Sequence, residues 1–289
     1  MKITAGLMVA LFAFAVSAAG TASGEEAPRG VGKVSPAALD EAEKLLAESR
    51  YSEAVKLLGD LRAKGATDAR HRKLMGKAYL GLGMHQEALI EFSEILKTNP
   101  NDYDANLGRA RALLGLGDAR KAEGRARLCT ELRPDAAEAH LVLGQILMHP
   151  TVAKHAEAEK ACRRALELSG ESREGVVCLS KALNYQKKTD RAVGILRGWL
   201  ERHPDDVQLR VKLAESLYAL RRLGPAEREA LEALKRQPDS AYAKRVLGQI
   251  RSRKAYQFWV PVVAIVAFPL FYFLIRRMRR GKELKAEDV

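Results

Sequence analysis

Between Ser35 and Gln257 the apolar residues fall at helical spacing, interrupted at short intervals by turns. The stretch from Leu74 to Pro100 shows the pattern best. Leu74, Gly76, Ala78 and Tyr79 mark one helix, Gly81-Leu82-Gly83 a turn, and Ala88, Phe92 and Ile95 a second helix that ends at Asn99-Pro100. Small residues at Gly76 and Ala88 let two helix backbones approach, while Tyr79 and Phe92 fill the space around that contact. Pro100 denies the helical conformation to Asn99, and acids just after such prolines (Asp102, Asp135, Asp205, Asp239) suit the opening turn of the next helix.

This pair of helices recurs. Ala54, Ala88, Ala122, Ala158, Ala192 and Ala226 are spaced by 34 residues, with one interval of 36, and Pro100, Pro134, Pro204 and Pro238 follow the same period. One unit of this size cannot bury its apolar face alone, so units must stack on their neighbours. Such a solenoid offers surface in place of an enclosed active site. Units are expected near 35–68, 69–102, 103–136, 137–172, 173–206 and 207–240, with residues 241–257 as a capping helix.

These residues resemble the tetratricopeptide repeat family, whose 34-residue unit wants small residues at its eighth and twentieth places, aromatics near the eleventh and twenty-fourth, and proline at the thirty-second. The unit starting at Ala69 supplies Gly76, Tyr79, Ala88, Phe92 and Pro100 there; the one from Tyr103 supplies Ala110, Leu113, Ala122, Ala126 and Pro134; the one from Val207 supplies Ala214, Leu217, Ala226, Ala230 and Pro238. Three departures stand out. The first unit has Ala66 and the fourth Gly170 where proline is expected, the fourth carries two extra residues within Met148 to His155, and the family's tryptophan near the start is absent. The resemblance implies an all-α, right-handed superhelical solenoid of about six repeats.

Both ends lie outside this pattern. Ile3 to Val16 is an apolar run of 14 residues after Lys2, about 21 Å as a helix and short of the roughly 30 Å hydrocarbon core of a bilayer. Small residues follow, so residues 1–19 read as a signal peptide and 20–34 as a flexible linker. Phe258 to Ile275 runs for 18 residues without a charge, twelve of them Phe, Val, Ile or Leu. The gross insertion gain is about 4 to 7 kcal/mol, enough to tolerate Pro261 and Pro269. Residues 258–275 are therefore expected to span a membrane, with 276–289 as a basic cytoplasmic tail; an exported amino terminus places the repeats on the periplasmic side.

The formal charge of +13 changes little. The tail contributes +3 and Lys2 one more, and the remaining +9 is spread thinly over the repeats. It favours acidic partners or anionic membrane surfaces, and no aromatic-interleaved basic stretch points to nucleic acid.

The resemblance implies that the second, fifth, ninth and twelfth places of each first helix face the concave groove. Those places hold Arg70, Lys73, Lys77 and Arg111 in the second and third units, and Lys181 and Asn184 in the fifth, with Tyr185 beside them. Converging cations there favour a carboxylate-bearing peptide or an acidic loop; the alternative is a solvated basic helix face. Glu43, Lys77 and Arg111 replace the asparagine that the family's chaperone-tail clamp requires, so that ligand is not expected. His149 and His155 flank Pro150 without a third metal ligand, and Cys162 and Cys178 read as small buried fillers, a disulfide being the alternative. Gly81-x-Gly83 and Gly115-x-Gly117 sit in repeat turns rather than after strands, and no catalytic spacing stands out. The expectation is a membrane-anchored interaction scaffold with no enzymatic activity and no cofactor, holding an envelope protein complex. The rival is a tail-anchored adaptor facing the cytoplasm that recruits soluble partners or chaperones.

Overall fold

A computed structural model describes residues 36–286. The amino-terminal signal and linker expectations lie outside the described residues, as do the side chains of the basic tail. The described chain is helical, with thirteen helices and no strands. They form six antiparallel pairs: α1 (Pro36–Ala47) with α2 (Tyr51–Ala63), α3 (Ala69–Gly81) with α4 (His85–Thr98), α5 (Tyr103–Gly115) with α6 (Ala119–Leu132), α7 (Ala137–Leu147) with α8 (His155–Ser169), α9 (Arg173–Tyr185) with α10 (Thr189–Arg202), and α11 (Val207–Ala219) with α12 (Leu223–Arg236). A long helix, α13 (Ala241–Ala286), follows. Each helix packs against the next in sequence, and first helices of successive pairs also meet, α9 and α11 through the Asn184–Ser216 hydrogen bond. This is a tetratricopeptide-type solenoid.

The six repeated alanines lie inside the stack and are all fully buried. Phe92 shows why neighbouring places must also be small. Its ring lies between α3 and α5, and a Cβ added at Gly76 or Gly108 would come within 2.7 or 2.3 Å of it. The core is continuous along the solenoid, since Leu166 and Ile195 pack against both of its two largest apolar clusters.

Caps repeat with the same period. Asp68, Asp102, Ser172 and Asp206 each accept a hydrogen bond from the backbone N–H three residues on, at 2.7 to 3.1 Å, which is worth about 1 kcal/mol per helix. Ser240 does the same for α13. Of the acids expected to open helices, Asp102 is in place, whereas Asp135, Asp205 and Asp239 sit one residue too early; the cap belongs to the next position, which holds Ala136, Asp206 and Ser240. Within each pair, the turn contains a residue with positive φ two positions before the second helix: Ser49, Gly83, Gly117, Ala153, Lys187 and Arg221. Only two of these are glycine, so tertiary packing holds the other four in a conformation their own side chains disfavour.

Cys162 and Cys178 are both buried, as the filler reading requires, but they are also joined. A disulfide links α8 to α9 with the α-carbons 5.5 Å apart. Small Gly144 of α7 makes room, because a Cβ there would stand 2.6 Å from the Cys162 sulfur. The preference for free thiols at these two positions is thereby corrected, and Cys129 is the buried free cysteine. The capping helix and the apolar stretch form one unbroken helix, α13, which passes through Pro261 and Pro269.

Candidate functional site

Of the seven residues picked out for the groove, three are ion-paired between repeats, three cluster on α9, and Lys77 belongs to neither set. Arg70, Lys73 and Arg111 hold neighbouring repeats together. Arg70 pairs with Asp40 and Glu43 at 2.6 and 3.0 Å, Lys73 with Asp102 and Asp104 at 2.9 and 3.2 Å, and Arg111 with Glu138 at 2.6 Å. The acids beside Arg70 raise its pKa; burial would lower that of Lys73, yet Asp102 and Asp104 outweigh it and raise the value. The free basic face expected in the second and third units is therefore largely a ladder of inter-repeat ion pairs. Lys77 is exposed.

Lys181, Asn184 and Tyr185 sit together on α9, where two cavities adjoin. The first, about 370 Å³, is lined by Gln145, Met148, Pro150, Val177, Lys181 and Tyr185 among others. The second, about 310 Å³, is bounded by Ser180, Asn184, Leu196, Lys212 and Ser216, and it shares Lys181 and Tyr185 with the first. Those two side chains stand on the common wall, and Tyr185 remains 56% exposed. Asn184 donates to the Ser216 hydroxyl at 3.2 Å, tying α9 to α11.

The support for Tyr185 was not visible in the sequence pattern. Its ring stacks on His155 with centroids 4.9 Å apart and planes 10° from parallel. The next residue, Gln186, donates to the His155 carbonyl at 3.0 Å and to Glu159 at 2.9 Å. Glu159 is the hub: it also pairs with Arg163 and Lys188 at 2.9 and 2.8 Å, and its pKa falls to about 2 because Lys188 first, then Arg163 and Gln186, bond its charged form. The enlarged turn of the fourth unit supplies Met148, His149 and Pro150 to the first cavity. His149 bonds Thr151 at 2.9 Å, and His155 is occupied by its stack with Tyr185. On the far wall, burial would lower the pKa of Lys212, but bonds to Tyr242 and Glu215 dominate and raise it, so this cation stays charged beside the second cavity.

The arrangement offers aromatic, aliphatic, amide and ammonium groups along an open face. It suits an extended polypeptide with an acidic or hydrogen-bonding side chain better than a small molecule needing enclosure. Two sequence profiles described as tetratricopeptide repeat match the chain, one over residues 79–146 and 183–250, the other over residues 39–103. The chain belongs to the tetratricopeptide repeat family. Tetratricopeptide repeats are generally non-enzymatic scaffolds, and membership implies protein–protein interaction.

Among curated proteins, the chain is similar to the tetratricopeptide repeat and J domain-containing co-chaperone DNJ1 of Cryptococcus neoformans var. grubii, at 27% identity over 228 residues. That match covers 73% of this chain and 42% of the relative, so the chain spans less than half of the relative's length. Among solved structures, a thermophilic tetratricopeptide repeat protein of Thermus thermophilus superposes with a TM-score of 0.56 at 21% identity, covering 63% of this chain and 98% of that one. One from Parabacteroides merdae gives 0.62 at 16% identity, covering 76% and 86%. These likenesses establish the fold.

Proposed function

We propose that this tetratricopeptide repeat protein is a membrane-anchored scaffold that grips a polypeptide segment of a partner at the α7–α9–α11 face, with Tyr185 and Lys181 as the central contacts. The observation that carries the anchoring is α13. Past the last repeat most of its described side chains are exposed: Phe258, Trp259, Ile265, Phe268 and Phe271 are 58 to 74% exposed. The helix is long and apolar enough to cross a membrane, and about 18 apolar residues left bare in water would be an aggregation site. Bilayer insertion of residues 258–275 resolves that conflict.

We place the repeats on the exported side, holding an envelope complex. The signal-like amino-terminal run and a bridged cysteine pair both fit an oxidising compartment. The cytoplasm-facing adaptor is the second reading, favoured by the co-chaperone nature of the curated relative.

Photo-crosslinking in intact cells from a probe replacing Tyr185 tests both. The expected result is a discrete adduct with an exported or membrane protein that weakens when Lys181→Glu is added. Adducts with cytosolic proteins support the adaptor instead, and adducts insensitive to Lys181→Glu remove the groove from the reading.

A further inference from the structure

The repeat period allows each position to be compared with its counterparts in the other units, and one position breaks the rule. Met75, Leu143, Leu179, Leu213 and Leu247 occupy the same place in their units and are all buried. The first unit, at the open end of the stack, has the exposed Glu41 there; among the interior units the exception is the third, which holds Arg109. Its guanidinium is half-buried, and its Nε is shielded from solvent without a hydrogen-bond partner. A second substitution reinforces the first. The second and sixth units pair an arginine of the first helix with a glutamate of the second, Arg72 with Glu91 at 3.2 Å and Arg210 with Glu229 at 2.9 Å. At these two places the third unit has Asn106 and Arg125, so the acid is replaced by a cation; Arg125 reaches only the Asn106 amide oxygen, at 3.4 Å.

Arg109, Leu113, Lys121, Gly124 and Arg125 line a cavity of about 510 Å³ between α5 and α6. Gly124 keeps it open, with no atom within 4 Å of where a Cβ would stand. The corresponding cavity of the fourth unit contains Leu143, Leu147, Glu157, Lys160 and Ala161, and there Glu157 is answered by Arg127 at 2.5 Å. Among the described residues no carboxylate pairs with Arg109 or Arg125, and the nearby Glu91, Glu94 and Glu123 are bound to Arg62 and Arg72, to Lys97, and to Arg127 and Lys154. Asp118 pairs with Lys121 on the exposed rim, leaving the two arginines unneutralised. Burial, and then the like charge of Arg125, lower the pKa of Arg109.

We infer that this cleft is an anion site, distinct from the groove, that takes the phosphate group of a soluble phosphate monoester. Two guanidiniums without a protein counter-ion cost stability when the cleft is empty, and a doubly charged oxyanion with fork-like acceptors matches them. The volume exceeds that of one ion, and Leu113 gives the remainder of the ligand an apolar wall.

The test is calorimetric titration of the full chain in a non-ionic detergent with inorganic phosphate, against acetate and chloride at equal ionic strength. The expected result is one phosphate per chain, bound more tightly than acetate. Arg109→Leu and Arg125→Ala each install a residue type found at counterpart positions of other units, so both should fold, with affinity reduced about tenfold or more. Lys64→Gln, on the exposed end of α2, should leave binding unchanged. Both arginine variants should also unfold at a higher temperature than the parent without phosphate, because the repulsion is gone. No phosphate heat beyond chloride, equal affinity for acetate, or full binding by both arginine variants would each overturn the inference.

Discussion

At the residue scale, the wall that carries Tyr185 rests on Glu159, which Arg163, Gln186 and Lys188 bond at 2.8 to 2.9 Å. The alanines and Gly76 were legible because a helix pair at close approach admits nothing larger, whatever the neighbours are. Lys181, Asn184 and Tyr185 were legible as a cluster because helical spacing places them on one face. Glu159 was not, since only Arg163 lies on its own helix, while Gln186 and Lys188 come from the α9–α10 turn and Arg191 from α10. Its side chain is 11% exposed and its pKa is depressed from 4.5 to about 2. A depressed carboxylate adds stability above its unfolded value and loses it as pH falls, so this contribution should be complete above about pH 4.5 and disappear toward pH 2. After allowance for solvent screening it is worth about 1 to 2 kcal/mol. Glu159→Gln should lower the unfolding temperature at pH 7 and leave little difference from the parent near pH 2, as read by thermal melts across that range.

At the element scale, the helices and their order followed from spacing alone, while their joints did not. The first-helix caps needed an acceptor one residue later than three of the post-proline acids suggest, because only that position points at the free N–H groups of the first turn. The α8–α9 connection shows the same limit. Cys162 and Cys178 are 16 residues apart, and whether they meet depends on how the two helices cross, which Gly144 on a third helix permits. Closing a loop of this length adds about 3 kcal/mol. Thiol counting on denatured chain should therefore find one free thiol, Cys129, without reductant and three with it. Replacing both Cys162 and Cys178 by alanine should cost about 3 kcal/mol in denaturant melts and loosen the cavity that Cys178 lines.

At the scale of the whole molecule, one helix joins the solenoid to its apolar terminus. Arg251 and Lys254 of α13 clasp Glu227 of α12 at 3.2 and 2.6 Å, which fixes the direction in which the helix leaves the last repeat. Full chain expressed in cells should stay in the membrane fraction after alkaline carbonate washing, and chain ending at Gln257 should be released while keeping its helical circular dichroism; release of both would refute anchoring. The sequence by itself determined the repeat length, the helix pairs, the small residues of the core and the apolar terminus, because each is a consequence of local spacing and of size limits within one unit. Tertiary structure decided which cations are free and which are ion-paired, that two cysteines meet, and that Arg109 and Arg125 share an acid-free cleft. Those facts depend on distances between helices of different units or on opposite sides of a turn. A period of 34 residues sets the order of such helices but not the separation or charge balance of the side chains between them.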